Sequence, residues 1–248
     1  LKSLKCHSQC MLLAWRPRVF LLPNLLTADE CSQLIRIAKN IGPSRAKTED
    51  GADNKRLNKG AWLDLAKINS AADVELIRVA RQRISIAARV PPSHFEETQV
   101  LHYSLGEAYD LHPDFCPRIA AGRQDSSRSG GQRICTLLCF LSSMAPGQGG
   151  ETHFPLAQPN RDSVDRPEVT WGKVRYNLQK RWRRWGMPKP AADEGLSVRP
   201  MAGSALLWFN TKLDGNVDKR SVHASLPVLE GEKWALSQWM RESPHVAF

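Results

Sequence analysis

The 248-residue chain contains no Cys-x-x-Cys pair. Its six cysteines, Cys6, Cys10, Cys31, Cys116, Cys135 and Cys139, show no zinc-ribbon spacing, so no structural zinc module organises it. No His-Glu-x-x-His run is present, which removes the metalloprotease signature. No apolar run approaches the roughly 18 residues that a spanning helix needs, and no membrane span is expected. Glycosylation sequons are also missing, so that evidence of secretion is lacking. The first fifteen residues offer only "CMLLAW", too brief for the apolar core and flanks of a signal peptide. Any targeting segment is expected to have been removed or to lie upstream of Leu1. No internal repeat is visible, which argues against a solenoid.

Acidic residues are the minority among the charged ones. Against 35 Lys and Arg stand 25 Asp and Glu, a formal charge of +10 with a pI near 9.6. Such a balance favours acidic partners, among them nucleic acid, anionic glycans and membrane surfaces, but it bears on association and not on fold. With 42% hydrophobic residues the chain has ample material for a core. Its length suits one large β-rich domain or two small ones.

"RVFLLPNLL" (18–26) reads as a strand running into a turn. Thr27 and Glu30 have capping-box spacing ahead of Cys31, Leu34, Ile35 and Ala38, which predicts a helix over about 28–39. Residues 43–60 are polar and suggest an exposed loop. Ile77, Ala80, Ile84 and Ala88 share one helical face, predicting a second helix over about 72–88 that stops before Pro91-Pro92. Beyond residue 95 the pattern turns to short strands: "ETQVLHYSL", "RICTLLCFLS", "LSVRP", "SALLWFN" and "WALSQWM". Helices followed by a run of strands make the class α+β, mainly β, with a barrel or sandwich as the second part. Two long stretches, 116–131 and 158–195, interrupt the strands, and loops of that length are usually functional lids or insertions.

"AYDLHPDFCP" (108–117) places His112 and Asp114 two apart at the end of a strand-like segment, so both side chains are expected on one face. Alone, a His-x-Asp is most often a surface turn. His223 in "KRSVHASLPV" is the best third ligand. Two imidazoles and a carboxylate make the facial triad of non-haem Fe(II), leaving room for a bidentate co-substrate and O₂. A cupin-like zinc or manganese site stays open as another reading. Lys233, ten residues past His223, adds weight to iron, because a buried ammonium near a dication is costly unless an anion such as a dicarboxylate lies between them.

Six stretches in order, "RVFLLPNLLTADECSQLI", "TQVLHYSLGEAYDLHPDF", "GGQRICTLLCFLS", "GGETHFP", "GLSVRPMAGSALLWFN" and "SVHASLPVLEGEKWALSQWMR", make the chain resemble the prolyl 4-hydroxylase family of Fe(II)/2-oxoglutarate dioxygenases. The resemblance spans about residues 17–243, with 1–16 left as an N-terminal tail. It implies a double-stranded β-helix (jelly-roll, cupin-like) core with flanking N-terminal helices. It implies iron on His112, Asp114 and His223, and the distal carboxylate of 2-oxoglutarate on Lys233. Tyr103, Thr152 and Trp239 would line the co-substrate site, and Arg133, Tyr109 and Arg241 the substrate site. The cofactors implied are Fe(II), 2-oxoglutarate, O₂ and ascorbate. The reaction implied is hydroxylation of prolyl residues in peptides or proteins to 4-hydroxyproline, with release of succinate and CO₂, in the endoplasmic reticulum or secretory pathway.

The chain departs from the family pattern in several places. Pro113 between the first two ligands removes a backbone donor and fits only an edge or bulge. Leu226 stands where relatives often carry cysteine, so no disulfide forms there. Arg241 stands where some relatives carry histidine. Cys135 and Cys139 read as core residues. The insertion at 158–195 is the largest departure. Lys173 to Lys189 holds seven basic residues and no acidic ones, with Trp171, Tyr176, Trp182 and Trp185 in and beside it. Such interleaving suits an acidic peptide or glycan, or single-stranded nucleic acid, although a plain solvated insertion is the commoner outcome. The alternatives to prolyl hydroxylation are the same chemistry on another residue type or on nucleic acid, and a non-catalytic basic binding module.

Overall fold

In the computed structural model, which describes residues 10–45, 58–117, 130–159, 166–172 and 195–245, the first helix starts as its caps dictate. The Thr27 hydroxyl accepts the Glu30 amide at 3.2 Å, and the Glu30 carboxylate accepts the Thr27 amide at 2.8 Å. Helix α1 (Ala28–Ile41) follows, and Gly42, at φ 83°, ends it by donating its amide to Ala38 and Lys39. Helix α2 (Ala71–Ala88) is capped by Ser70, whose hydroxyl accepts the Asp73 amide, and it stops at left-handed Arg89 just ahead of Pro91-Pro92. Both helices lie within a few residues of their predicted spans. Arg83 of α2 meets Glu30 of α1 at 2.6 Å, joining the helices across their half-buried seam.

The strands are β1 (Met11–Arg16), β2 (Arg18–Leu22), β3 (Ser44–Arg45), β4 (Lys59–Trp62), β5 (Gln99–Tyr103), β6 (Tyr109–His112), β7 (Arg133–Phe140), β8 (Thr152–Phe154), β9 (Gln158–Pro159), β10 (Val169–Trp171), β11 (Leu196–Val198), β12 (Ala205–Phe209), β13 (His223–Ser225) and β14 (Lys233–Arg241). They form two antiparallel sheets, a nine-stranded one in the order β3-β4-β5-β14-β7-β12-β2-β1-β9 and a five-stranded one in the order β10-β11-β8-β13-β6. This is the double-stranded β-helix that the resemblance implies, with α1 and α2 against the outer face of the larger sheet.

Two cores result. Cys135, Leu137, Cys139, Leu207 and Leu236 pack outward with Leu34 of α1 and Ile77 and Ile84 of α2. Their strand neighbours Leu138, Phe140, Leu206, Trp208 and Ala235 point the other way, against Phe154, Leu196 and Val198 of the smaller sheet. The central strands β7, β12 and β14 are thus covered on both faces, which is why they read as nearly continuous apolar runs. Burying a Leu or Phe of this kind contributes roughly 1.5–3 kcal/mol, so the larger sheet is the rigid wall of the molecule. Cys135 and Cys139 are core residues, as expected.

Several expectations change. Residues 11–16, assigned to the tail, form β1 and pair with both β2 and β9. Ser44–Arg45, inside the expected loop 43–60, and Lys59–Trp62, which overlaps its end, are strands, and β4 pairs with β5 through Gly60 and Ala61. Polar composition misled here because β3 is the edge strand of its sheet and β4 lies next to it. The insertion 158–195 supplies β9 and β10, while its basic run 173–189 lies outside the described residues. No helix among the described residues is long and apolar enough to cross a membrane.

Candidate active site

Short strands at one edge of the smaller sheet bring the ligand candidates together. β13 pairs with β6, and His223 stands opposite His112 in that register. β6 is the edge strand and ends at His112, so Pro113 costs no ladder hydrogen bond, and the chain turns Asp114 inward just beyond it. Sequence spacing placed His112 and Asp114 on one strand face, whereas only His112 is in the strand. His223 begins β13, a short strand that the sequence pattern did not announce.

The three side chains converge. His112 Nε2 lies 3.8 Å from Asp114 Oδ1, and His223 Nε2 lies 3.6 Å from Asp114 Oδ2. The three potential ligand atoms all lie within 4.8 Å of one another. His112 Nδ1 donates to the Asp110 carbonyl at 2.7 Å, and His223 Nδ1 donates to the Ser221 carbonyl at 3.0 Å. A carbonyl only accepts, so each Nδ1 carries its ring's proton and each Nε2 presents a lone pair. The Tyr109 ring stacks on His112 at 3.5 Å, and Trp208 meets His223 edge-on at 4.6 Å, which locks both imidazoles.

Asp114 is held by a relay. The Thr136 hydroxyl donates to Asp114 Oδ2 at 2.8 Å, and Asn210 Nδ2 donates to Thr136 Oγ1 at 3.1 Å. An amide nitrogen can only donate, so Asn210 obliges Thr136 to spend its hydrogen on the carboxylate. Burial works to raise the Asp114 carboxyl. The His223 and His112 imidazoles, the Arg133 guanidinium and the Thr136 hydroxyl outweigh burial, and the group sits below the usual carboxylate range. An ionised carboxylate between two imidazole lone pairs fits a divalent metal. Ligands about 2.1 Å from an ion in octahedral arrangement stand about 3 Å apart, so the 3.6 and 3.8 Å separations leave room for an ion that draws the three side chains slightly inward.

Lys233 opens β14 at the other end of the same cavity and is 1% exposed. Its Nζ donates to the Gly150 carbonyl at 2.7 Å and to Ser225 Oγ at 2.8 Å, leaving the third donor for a ligand. Desolvation pulls its pKa down to about 7. Gly149 and Gly150, both at positive φ, bring the β7–β8 turn close, and a Cβ on Gly150 would press on the Lys233 stem at 3.3 Å.

Lys233 and the triad line one pocket, with about 440 Å³ of empty space that includes its opening to solvent, together with Tyr103, Tyr109, Thr152, Trp208, Ser225 and Trp239. Three of its lining residues carry buried polar atoms without a hydrogen-bond partner: Thr152 Oγ1, Trp208 Nε1 and Trp239 Nε1. Such atoms are costly unless a ligand meets them, and a carboxylate-bearing co-substrate anchored on Lys233 is the kind of group that would. The observed residues therefore fit both the metal and the dicarboxylate.

Arg133 and Arg241 do not line this cavity. Both clasp buried Glu96, with Arg133 Nε and Nη2 at 2.6 and 2.7 Å and Arg241 Nε at 2.6 Å. Burial works to raise the Glu96 carboxyl, but the two guanidiniums prevail and hold it low. The Arg133 guanidinium also lies 4.8 Å over the Trp239 ring, and the Trp62 ring is tilted against it with centroids 6.0 Å apart.

Reasoning from the sequence missed Ser225, Thr136, Asn210, Glu96 and Trp208. Strand alternation could have found some of them. Ser225 is two from His223, and Thr136 is two from Leu138 on the inner face. Asn210 and Glu96 carry no periodic signal.

The comparisons with known proteins agree with this geometry. A family model described as "2OG-Fe(II) oxygenase superfamily" matches residues 98–241. The protein named Probable prolyl 4-hydroxylase 8 of Arabidopsis thaliana is 33% identical over 229 residues, covering 92% of this chain and 69% of its own length. Prolyl 4-hydroxylase 5 of the same plant is 32% identical over 233 residues, covering 92% and 69%. Among solved structures, the viral collagen prolyl hydroxylase of Paramecium Bursaria Chlorella virus-1, in its 2OG complex, superposes with a TM-score of 0.55 at 20% identity, over 89% of this chain and 94% of that one.

Proposed function

Because the chain belongs to the 2OG-Fe(II) oxygenase superfamily, among its prolyl 4-hydroxylases, we propose that it hydroxylates prolyl residues of a polypeptide, consuming 2-oxoglutarate and O₂ and releasing succinate and CO₂. The observation that carries this reading is the single cavity with His112, Asp114 and His223 at one end and buried Lys233 at the other.

His112 Nε2, Asp114 and His223 Nε2 would hold Fe(II), which with bound 2-oxoglutarate supplies the oxidising power for C–H hydroxylation. Lys233 anchors the distal carboxylate with its remaining N–H, steadied by Gly150 and Ser225. Thr152 offers its unpartnered hydroxyl to the co-substrate. Tyr103, whose ring lies 5.0 Å from Lys233 Nζ, closes the wall beside the anchor. Leu101, Leu138 and Ala235 keep that end apolar, so the Lys233 charge acts through a low dielectric and water is kept from the reacting end. Tyr109 and Trp239 border the entrance to the prolyl ring, and Arg133, braced by Glu96, backs Trp239. The basic segment 173–189 is assigned to gripping an acidic part of the substrate, on its composition alone.

Succinate release by the purified protein, with Fe(II) and ascorbate, tests the reading. Stimulation by a proline-rich peptide that gains one oxygen, lost in His223→Ala and Lys233→Ala, is the expected result. Succinate formation without any peptide gain would move the substrate elsewhere within the same chemistry.

A further inference from the structure

A second cavity lies on the outside of the barrel at its metal-binding end. It has about 1440 Å³ of empty space continuous with solvent, and its walls come from the β1–β2 turn, the β8–β9 turn and the β12–β13 connection. Its position follows from register. Val19, next to Arg18, pairs with Trp208, which lines the catalytic cavity. Arg220 stands three residues ahead of His223 in the same rigid connection. The walls are tied together, since Arg18 Nη2 donates to the Thr211 carbonyl at 2.8 Å and Arg220 Nη1 donates to the Leu156 carbonyl at 2.9 Å. The Arg18 guanidinium also lies 4.1 Å over the Phe209 ring.

The charge of this groove is one-sided. Among the described residues that line it, Arg16, Arg18, Lys212, Lys219 and Arg220 stand with two carboxylates, Asp214 and Asp218. Both carboxylates are engaged locally, Asp218 accepting the Arg220 amide and Asp214 the Asn216 amide, each at 3.0 Å. Arg16, Lys212 and Lys219 are exposed, and none is within ion-pair distance of a carboxylate among the described residues. Beside them stand Trp15, 55% exposed, and Leu213, 81% exposed.

We infer that this groove docks an acidic stretch of the polypeptide whose prolyl residue enters the cavity, the inference resting on the prolyl hydroxylase reading above. Cationic side chains spaced around exposed Trp15 and Leu213 match a chain that mixes carboxylates with apolar side chains. Asp214 and Asp218 interrupt the basic surface and disfavour a continuous polyphosphate, whose charges recur at every residue. The groove is lined by the β12–β13 connection, the same segment that leads into His223.

Two peptides sharing one proline-rich core test this, one extended by a run of glutamates through a flexible linker and the other by serines. The wild-type protein is expected to show a KM about tenfold lower for the acidic peptide at equal kcat, with the difference gone at about 0.5 M salt. The triple variant R16E/K212E/K219E, altered only at exposed positions, is expected to treat both peptides as the wild type treats the serine one, and R16Q/K212Q/K219Q to fall between. Equal KM values in the wild type, or a preference that survives in the triple variant, would overturn the docking site. If neither peptide is hydroxylated, the prolyl reading fails instead. Fluorescence anisotropy of the labelled acidic peptide on wild type and triple variant then decides the docking by itself. Tighter, groove-dependent binding of a single-stranded oligonucleotide than of the glutamate peptide would assign the groove to nucleic acid and also overturn the proposal.

Discussion

The two ends of the catalytic cavity are built by opposite means. At the metal end, three ligands come from the edge of a sheet of short strands, and each is satisfied by the protein itself: His112 by Asp110, His223 by Ser221, Asp114 by Thr136. At the anchor end, Lys233 sits on a nine-residue strand buried along its whole length in the middle of the larger sheet; its hydrogen-bond partners are neutral, and the Glu151 carboxylate acts on it only through space, too weakly to offset burial. The metal end is therefore prearranged before anything binds. The anchor end stays electrostatically incomplete until an anion arrives, and its lysine is the group that burial has perturbed.

This contrast is broken most severely at the metal end. His223→Ala should remove turnover by about three orders of magnitude or more, equivalent to about 4 kcal/mol, and abolish metal-dependent changes in protein fluorescence, while circular dichroism stays native. Failure of Co(II) or Fe(II) binding to change would sink the triad assignment.

At the anchor end, Lys233→Met should raise the 2-oxoglutarate concentration needed for half-maximal rate about 100-fold and leave metal affinity nearly unaltered. Its pH signature has a definite sign. The folded pKa of about 7 lies below the ordinary lysine value of 10.5, so the unfolded chain holds more protons between those limits. Stability of the ligand-free protein thus rises with pH from about 7 to 10.5, by at most about 1.4 kcal/mol per unit. Denaturant titrations of wild type and Lys233→Met should show that slope only in the wild type. By the same linkage, 2-oxoglutarate binding above pH 7 takes up a proton and weakens as pH rises, which calorimetry in two buffers would detect.

A smaller effect separates positioning from ligation. Thr136→Val and Asn210→Ala should each weaken metal binding about tenfold, with the 2-oxoglutarate KM changing far less. Equal losses in both constants would mean that the relay serves the fold and not the carboxylate's orientation.

The smallest prediction concerns a wall shared by both ends. His153, next to Thr152 on β8, is buried with Nδ1 2.8 Å from Ser197 Oγ, and desolvation lowers its pKa to about 4. The unfolded imidazole takes its proton near 6.5, so stability is lost as pH falls from about 6.5 to 4, again by no more than about 1.4 kcal/mol per unit. His153→Gln should flatten that part of the profile, read by thermal melts across the range.

Much of the fold was legible because its signals are local. Thr27 and Glu30 announce α1 within four residues, and Ile77, Ala80, Ile84 and Ala88 mark the buried face of α2. β1 escaped because "MLLAWR" is short and its partners, β2 and β9, lie on different parts of the chain. β4 escaped because it is only four residues long and opens with Lys59 and Gly60, at the end of a polar stretch, and its partner β5 lies some 40 residues further on. The triad and Lys233 were readable from residue type, spacing and the order of six stretches. Glu96 was not, because its two arginines lie 37 and 145 residues away and nothing local marks a carboxylate that will be enclosed by them.

By itself, the sequence determined which side chains are available for the chemistry: two imidazoles, a carboxylate and a lysine, on segments whose alternation or capping dictates strand or helix. Tertiary structure alone decided what those side chains are. Pairing β13 with β6 puts His223 against His112 across 111 residues, closing the larger sheet over β14 strips water from Lys233, and the β12–β13 connection sets Asn210 behind Thr136 and a basic groove beside His223. The physical reason is that ligand geometry, desolvation and charge pairing depend on distances through space, and spacing along a chain fixes those only within a single element.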